Sequence, residues 1–412
     1  MYDSPIVDAK IFDGAALVHM LKPNTQNTFF EYANQIFGPY IAAQLTNVRR
    51  IDVVWDVYEE SSLKSSARLV RGKGIRRRVA AANPIPGKWD DFLKNEENKT
   101  ELFHLLSNHV TCLFPPATEI NATCGQMLLS NIPDRDNQNL EGCTHEEADT
   151  RMILHAIDAV QKGFKKILLK TVDTDVLVLA IAFSTKLFGV ELWVALGTGK
   201  HLKYFPAHDI SQALGPQKSC ALPMFHAFTG CDTVSAFSGK GKRTAYDAWQ
   251  LCENVTAVFA DLFRDPSSYS DHMMSVLERY VVILYDRSST EQTVNSARRC
   301  MFTTKCRQFE NIPPTKEALV QHVKRAIYQG GYVWGQANVC CPVLPSPENY
   351  GWQKTNEKGW QPFWTTLQEA AASCSELLRC GCKQGCKRRC KCKKNSVNCT
   401  SLCQCMSNCD NK

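Results

Sequence analysis

The chain has 412 residues, of which 44% are hydrophobic, and this is enough for a globular protein of two or three domains. No stretch reaches the roughly 18 uncharged apolar residues of a membrane span, and the amino terminus lacks the pattern of a signal peptide. The net charge of +7 is a property of the tail, because residues 375–412 hold nine Lys/Arg against two acids. We therefore expect a soluble, intracellular and nuclear protein with no membrane partner, and with a tail that favours a polyanion.

The first predicted elements are a short strand that ends at Asp13, a helical pattern over 15–45 that is broken at Pro23 and Pro39, and a strand over 51–55. Residues 61–79 are polar and basic, as expected for a solvated loop, a localisation signal or a nucleic-acid-binding segment. Residues 83–140 are rich in Pro and Asn, with one amphipathic stretch over 92–106, and the sequence predicts a connecting insertion there.

The pattern becomes regular from residue 144 onward. It predicts a helix over 145–162, a strand over 166–172, a helix over 175–187 and a strand over 190–196, which indicates a parallel sheet flanked by helices. A helical region follows up to about residue 329, with a break at Pro313 and Pro314. We predict four parts: 1–250 with an insertion at about 60–140, a helical extension over 251–335, a Trp/Pro-rich linker over 336–374 and a cysteine-rich domain over 375–412.

Seven acids follow apolar runs or open helical stretches: Asp13, Asp56, Glu147, Asp149, Asp173, Asp175 and Asp232. A parallel sheet collects such positions at the carboxyl ends of its strands. Two divalent cations about 4 Å apart can activate water and offset charge during phosphodiester hydrolysis, and Mg²⁺ or Mn²⁺ prefers carboxylate oxygens. The acids therefore predict a two-metal nuclease site.

Several of these acids have structural alternatives when they are taken singly. Glu147 can complete a capping box that begins at Thr144 and can pair with Arg151 one helical turn on. Asp173 can cap the next helix, and Asp13 and Asp56 can be turn residues. The order of the complete set favours the metal site, and no role is assigned to the neighbouring histidines.

Residues 9–250 resemble the flap-endonuclease-like branch of the PIN-like nucleases. The resemblance rests on the order of the seven acids, in which Glu147 and Asp149, and then Asp173 and Asp175, form pairs, and Gly230-Cys231-Asp232 precedes a Gly-x-Gly turn. It implies that all seven acids are catalytic and that Glu147, Asp149, Asp173, Asp175 and Asp232 bind Mg²⁺. The sequence departs from the family by lacking its Gly-rich amino terminus.

The same resemblance implies how nucleic acid is held. The turn would belong to a helix–hairpin–helix-like element that grips duplex phosphates, and its residues here are Gly239, Lys240, Gly241, Lys242 and Arg243. The basic stretch after the second acid would be a mobile gateway, in which Lys64, Arg68 and Arg71 draw a single strand toward the metals.

Nine cysteines crowd the last thirty-odd residues: Cys380, Cys382, Cys386, Cys390, Cys392, Cys399, Cys403, Cys405 and Cys409. So short a segment cannot build a hydrophobic core, and bound metal would have to supply its folding energy. The repeated Cys-x-Cys pairs resemble the tesmin/TSO1-like CXC motif, which implies a cluster of about three Zn²⁺ ions that binds DNA. Arg388, Arg389 and Lys391 could contact phosphates, while the alternative is a zinc knot that mediates protein contacts.

The sequence as a whole favours a metal-dependent DNA nuclease with a zinc-cluster tail that binds DNA. The alternative is a non-catalytic DNA-binding protein that retains a nuclease-like fold, such as the product of a mobile-element gene. A transposase of the three-carboxylate type fits less well, because its site needs neither the Glu-x-Asp pair nor the Gly-x-Gly turn.

Overall fold

The computed structural model describes residues 4–59, 62–65, 74–303, 311–355 and 359–365, together with 380–382, 386–387, 390–394, 397–400, 403–405, 409 and 411. The chain divides into two compact units. Unit 1 comprises Met1–Pro223, Gln329–Ser346 and Lys354–Gln361, and unit 2 comprises Met224–Tyr328, Pro347–Gln353 and Pro362–Lys412.

A seven-stranded sheet forms the centre of unit 1. Its strands are β1 (Ala9–Asp13), β2 (Arg50–Val54), β3 (Glu119–Cys124), β4 (Met127–Ser130), β5 (Lys166–Thr171), β6 (Glu191–Leu196) and β7 (Lys203–Pro206). The spatial order is β4-β3-β2-β1-β5-β6-β7. The five inner strands are parallel, and β4 and β7 are antiparallel strands at the two edges. The predicted parallel α/β architecture is confirmed.

The inner strands are covered on both faces, as parallel strands must be. All five residues of β2 are buried, including Arg50 and Asp52, and only Lys10 interrupts the buried run of β1. The helices of this unit are α1 (Gly14–Met20), α2 (Phe29–Tyr32), α3 (Gly38–Gln44), α4 (Trp89–Phe92), α5 (Glu96–Leu113), α6 (Ala148–Gln161) and α7 (Thr174–Ser184), with a π-helical turn over Ala33–Phe37 between α2 and α3. The helices α6 and α7 match the two helices predicted from the sequence.

The predicted connecting insertion is wrong for its second half. This half contains β3 and β4, and β3 pairs in parallel with β2 inside the main sheet, while α5 in the first half covers much of the predicted amphipathic stretch. The sequence of β3, EINATC, alternates polar and apolar residues, which alone would predict a strand with one solvent-exposed face. Its polar side chains are buried and hydrogen-bonded instead: the Asn121 amide donates to Asp52, and the Thr123 hydroxyl accepts from the backbone N–H of Trp55.

Unit 2 is mainly helical. The helix α8 (Ala207–Phe228) is kinked at Gly215, which has a φ of 78°, and its last turn enters this unit. It is followed by α9 (Lys242–Gln250), α10 (Asn254–Arg264), α11 (Asp271–Tyr285), α12 (Val294–Thr303) and α13 (Lys316–Ile327). A π-helical turn over Tyr328–Val333 comes next, and all of it except Tyr328 belongs to unit 1. The predicted helical region and its break before α13 are confirmed.

The remaining elements are short. They are 3-10 turns over Gly199–His201, Pro266–Ser268 and Pro347–Tyr350, the paired strands β8 (Trp352–Thr355) and β9 (Gly359–Pro362), and the single helical turn α14 (Lys391–Lys394). Among the described residues, no helix combines the length and the apolar character that crossing a bilayer requires.

Candidate metal centre and nucleic-acid interface

Six of the seven predicted acids lie at the carboxyl edge of the unit 1 sheet. Asp13 is the last residue of β1, Asp56 follows β2 by two residues, and Asp173 follows β5 by two residues. Glu147 and Asp149 stand at the start of α6, and Asp175 lies in the first turn of α7. Oxygen atoms of Asp149, Asp173 and Asp175 all lie within 4.8 Å of one another, a spacing that could hold a metal ion.

A glycine lets the ends of β1 and β2 approach closely. Gly14 follows Asp13, and a Cβ atom at this position would lie 2.1 Å from the indole of Trp55, the residue that precedes Asp56. The indole is itself fixed, because it stacks on Phe103 with ring centroids 4.3 Å apart. This packing holds the first two acids at the sheet edge.

The hydroxyl of Thr171 connects two of the acids. It donates to Asp13 Oδ2 at 3.0 Å, and it accepts from the backbone N–H of Asp173 at 3.0 Å. Thr171 is the last residue of β5 and is only 1% exposed. Its role was not predicted from the sequence, although a Thr between an apolar strand and an Asp-x-Asp pair is a usable signal.

Helix N-termini hold the acids in place. Asp173 Oδ1 accepts from the backbone N–H of Asp175 at 2.9 Å, so the predicted cap of α7 is confirmed. Asp56 Oδ1 accepts from the backbone N–H of Ala148 at 2.9 Å, which ties the end of β2 to the start of α6. Each bond satisfies a helical N–H that has no partner within the helix and places negative charge at the positive end of the helix dipole.

The ionised forms of two of the acids are destabilised by their surroundings. Burial, then the nearby Asp56 and Asp173 carboxylates, raise the pKa of Asp13 to about 7. Burial, then Asp173 and Glu147, hold the pKa of Asp149 well above its usual range. A divalent cation among these oxygens would offset the repulsion, and an all-carboxylate donor set suits Mg²⁺ or Mn²⁺.

Glu147 also fits a ligand position. It is 8% exposed, and its Oε2 atom is buried with no hydrogen-bond partner in the described parts of the chain. Its Oε1 atom lies 2.9 Å from the Lys64 ammonium. The capping-box alternative is wrong, because the Glu147 side chain makes no cap bond and Arg151 donates to the Gly125 carbonyl instead. The predicted gateway residues Arg68 and Arg71 lie outside the described residues.

Asp232 lies in unit 2, in a sharp turn that follows α8. Gly230 has a φ of 114°, and a Cβ atom there would lie 2.9 Å from the Cβ of Ala236, so only glycine fits. Cys231 and Val234 exchange backbone hydrogen bonds of 2.9 and 3.2 Å across the turn. The participation of Asp232 in the metal centre stays a prediction.

The Gly-x-Gly turn leads directly into α9. Gly241 is the N-cap of this helix and makes no side-chain cap bond. The Lys242 ammonium donates to the carbonyls of His226 and Gly230 at 2.9 and 2.6 Å and to the Thr229 hydroxyl at 3.2 Å. Because protein acceptors take up its three hydrogens, Lys242 supports the turn and is not positioned to bind phosphate.

The tail cysteines form a compact sulfur cluster in unit 2. The sulfurs of Cys386 and Cys399 are 3.5 Å apart, those of Cys380 and Cys386 are 3.7 Å apart, and those of Cys390 and Cys399 are 4.0 Å apart. A disulfide requires about 2.05 Å, whereas the sulfurs of a tetrahedral zinc site with bonds of about 2.3 Å are about 3.8 Å apart. The spacing therefore fits thiolate ligands that share zinc.

Three groups of four sulfurs could each hold an ion. They are Cys380, Cys399, Cys403 and Cys405; Cys380, Cys386, Cys390 and Cys399; and Cys386, Cys399, Cys405 and Cys409. Cys399 belongs to all three groups. Cys382 and Cys392 are in none of them, although the Cys392 sulfur lies 3.6 Å from that of Cys403. Of the predicted phosphate contacts, Arg388 and Arg389 lie outside the described residues, and Lys391 begins α14.

Comparison with known proteins gave distant similarities alone. No family model matches the sequence, and no curated protein matches it. Among solved structures, the bacteriophage T5 D15 protein co-crystallised with metal ions is 14% identical, with 77% of this chain and 98% of that chain covered at a TM-score of 0.36. A complex of the T5 D15 flap endonuclease with DNA and metal ions is 12% identical, with 65% and 83% covered and a TM-score of 0.33.

The catalytic core of Rad2 in complex with a DNA substrate is also 12% identical, with 77% of this chain and 93% of that chain covered and a TM-score of 0.34. Similarity at this level decides neither the fold nor the activity of this chain. The functional assignment therefore rests on the carboxylates and cysteines of this chain itself.

Proposed function

We propose that this protein is a metal-dependent nuclease that hydrolyses phosphodiester bonds of DNA by a two-metal mechanism. The proposal rests mainly on the acids at one sheet edge. Carboxylate oxygens of Asp149, Asp173 and Asp175 lie within 4.8 Å of one another, and three further acids lie at the same edge. Carboxylates that are this close repel each other, and a bound cation would offset the repulsion.

In this proposal Glu147, Asp149, Asp173, Asp175 and Asp232 hold two Mg²⁺ or Mn²⁺ ions directly or through water, and Asp13 and Asp56 complete the centre. The bound ions would supply a hydroxide near neutral pH and offset charge on the attacking and leaving oxygens. The Thr171 hydroxyl links Asp13 to the Asp173 backbone by hydrogen bonds. The helix N-termini hold the Asp173 and Asp56 side chains.

Substrate binding would use cations on both units. Lys64, with Arg68 and Arg71 further along the same basic stretch, would draw the strand toward the metals. The uncapped N-terminus of α9 and the neighbouring Lys240 and Arg243 would hold duplex phosphates, since free backbone N–H groups at a helix N-terminus bind anions. Such contacts hold the backbone and carry no sequence information.

The tail would bind about three Zn²⁺ ions through its nine cysteines and would fold only with them. Nine thiolates and three dications leave the basic tail positively charged, which favours DNA as its partner. We infer a nuclear location because DNA is the proposed substrate.

A cleavage assay tests the proposal. Purified, zinc-loaded protein is incubated with labelled single-stranded, duplex and flapped DNA in Mg²⁺, in Mn²⁺ and without either ion. Cleavage that requires one of the two ions supports the nuclease and identifies its substrate. DNA binding without cleavage in both ions would favour the alternative, a non-catalytic DNA-binding protein.

A further inference from the structure

Unit 2 contains a cavity of about 570 Å³ that the metal centre does not use. Its walls are the loop 235–238, the end of α11, the start of α13 and the segment 364–365. Cavities of roughly 300–1,000 Å³ are typical of small-molecule sites. Among the described residues that line it there are two arginines and several hydroxyls but no carboxylate, so the cavity suits an anion.

Arg325 is the strongest sign of a ligand in this cavity. Arg325 is 8% exposed, and burial lowers its pKa, with no acid among the described residues near enough to oppose this effect. Within the described part of the chain its guanidinium makes one hydrogen bond, from Nη1 to the Gly351 carbonyl at 3.2 Å, and no ion pair. A buried guanidinium is costly without a countercharge, and an anionic ligand would supply one.

The N-terminus of α13 faces the same cavity. Thr315 caps this 12-residue helix, and Thr315 and Ala318 both line the cavity. Arg298, the second guanidinium in the wall, donates to the carbonyl of Pro313 just before the cap. The positive end of a helix and two guanidiniums thus converge on one space, an arrangement that binds phosphate groups.

His322 adds no charge to this wall. Burial lowers its pKa to about 4, so the ring is neutral at pH 7. Its Nε2–H donates to the Phe228 carbonyl at 2.7 Å, and its Nδ1 atom, 3.4 Å from the Ser235 hydroxyl, is the acceptor. The cationic character of the cavity therefore comes from the two arginines.

The other side of the cavity is aromatic. Phe237, Tyr285 and Trp364 all line it, and Trp364 is 71% exposed, which places an indole at the entrance. Flat rings stack on nucleic-acid bases whatever the base. Ser238 lines the cavity immediately before the Gly-x-Gly turn, and the Tyr285 hydroxyl donates to its carbonyl at 3.4 Å. The cavity therefore adjoins the turn that we expect to contact DNA.

We propose that this cavity binds one nucleotide unit of a DNA strand, with its phosphate at Arg325 and its base against the aromatic wall. The proposal goes beyond phosphodiester cleavage, because binding here needs none of the acids of the metal centre. It assigns unit 2 a site for a strand end or an unpaired nucleotide.

The test is equilibrium binding of thymidine 5′-monophosphate to the zinc-loaded full-length chain without added Mg²⁺ or Mn²⁺, followed by calorimetry and by quenching of tryptophan fluorescence. We expect the monophosphate to bind about tenfold or more tightly than thymidine or inorganic phosphate, since each of these lacks one half of the interaction. Arg325→Gln should weaken binding about tenfold or more. Phosphate binding as tight as that of the nucleotide would overturn the assignment.

Two further variants keep the proposal testable if Arg325→Gln does not fold. Trp364→Ala removes an exposed ring, and Ala318→Leu fills the cavity from a half-buried helical position. Both should weaken nucleotide binding, and unchanged binding by both would refute the site. The Asp173→Asn, Asp175→Asn double variant should bind the nucleotide like the wild type. Loss of binding in that variant would place the nucleotide at the metal centre and contradict the proposal.

Discussion

The Lys64 ammonium lies 2.9 Å from a carboxylate oxygen of Glu147, at the edge where the metal centre is proposed. Both side chains are largely buried, with exposures of 20% and 9%. The first cation of the basic stretch is therefore close enough to the acids to act as an internal substitute for part of the metal charge.

Replacing Lys64 should strengthen metal binding. In Lys64→Met the repulsion among the carboxylates is no longer offset, so we expect the Mn²⁺ dissociation constant to fall about three- to tenfold. Calorimetric titration with Mn²⁺ measures this, with the exposed Lys88→Met as the matched control. Weaker Mn²⁺ binding in Lys64→Met than in the control would show that Lys64 instead supports the site.

The Thr171 hydroxyl should be needed for catalysis as well as for stability. Thr171→Val keeps the shape but removes the bonds to Asp13 and to the Asp173 N–H, and we expect a loss of about 1–3 kcal/mol of unfolding free energy. Because both acids lose their positioning, DNA cleavage should slow by about tenfold or more. Urea unfolding and single-turnover cleavage test this, with the exposed Thr174→Val as control. Equal cleavage rates in the two variants would show that Thr171 does not position the catalytic acids.

A buried charge network that joins β2 to α6 should contribute strongly to the stability of unit 1. Arg50 pairs with Asp52 at 2.6 Å and with Asp158 at 2.6 Å, and His155 Nδ1 contacts Asp52 at 2.7 Å. Breaking such a pair leaves an uncompensated charge, so Asp52→Asn should cost about 3–5 kcal/mol of unfolding free energy. The double variant Arg50→Met, Asp52→Leu should cost less than the sum of its single changes, and simple additivity would argue against a coupled network.

The same pair should make unit 1 sensitive to acid. Burial alone would raise the pKa of Asp52, but the adjacent Arg50 and His155 hold it well below its usual range. A depressed carboxyl pKa contributes stability that is present above the unfolded pKa, near pH 4, and is lost as the pH falls below it. The unfolding midpoint in urea should therefore drop more steeply below pH 4 in the wild type than in Asp52→Asn; parallel curves would contradict this.

His322 should control a second pH dependence, in unit 2. Its pKa is lowered to about 4 by burial, so on acidification the unfolded chain gains a proton near pH 6.5 before the folded chain does. This group should therefore remove up to about 3 kcal/mol of unfolding free energy between pH 6.5 and pH 4. His322→Gln can still donate to the Phe228 carbonyl and should flatten that part of the stability curve. An unchanged slope would show that the ring titrates normally.

The zinc cluster predicts unequal roles for its cysteines. Cys399 belongs to all three candidate groups, whereas Cys382 belongs to none. Cys399→Ser should therefore release more zinc per chain than Cys382→Ser, measured with a chromogenic chelator, and Cys341→Ser outside the cluster should release none. Equal release by the Cys399 and Cys382 variants would contradict the three-group arrangement.

The parallel sheet and the placement of six acids could be predicted from the sequence, because apolar runs that end in Asp mark the carboxyl ends of buried strands. The alternation of helical and strand patterns from Thr144 onward was regular enough to place α6, β5, α7 and β6 within a few residues. The sheet edge then follows from topology, since parallel strands bring their carboxyl ends together.

Other features depended on tertiary contacts that no local pattern reports. β3 is short and its polar residues are buried by distant partners: Asn121 bonds to Asp52, 69 residues away, and Thr123 bonds to the backbone N–H of Trp55, 68 residues away. Lys242 looked like a phosphate ligand by charge, yet its ammonium is used by carbonyls at the end of α8. The Lys64–Glu147 pair likewise joins residues more than eighty positions apart.

The most direct test of the nuclease account is metal-dependent cleavage by the wild type beside the Asp173→Asn, Asp175→Asn double variant, with the exposed Asp261→Asn as control. Each protein is assayed on the same labelled DNA in Mg²⁺ and in Mn²⁺, after circular dichroism has shown equal folding. We predict cleavage by the wild type and by Asp261→Asn, and a loss of at least about a thousandfold in the double variant, because two ligands of the catalytic ions lose their charge. Undiminished cleavage by the double variant would contradict the assignment of this carboxylate cluster as the catalytic centre.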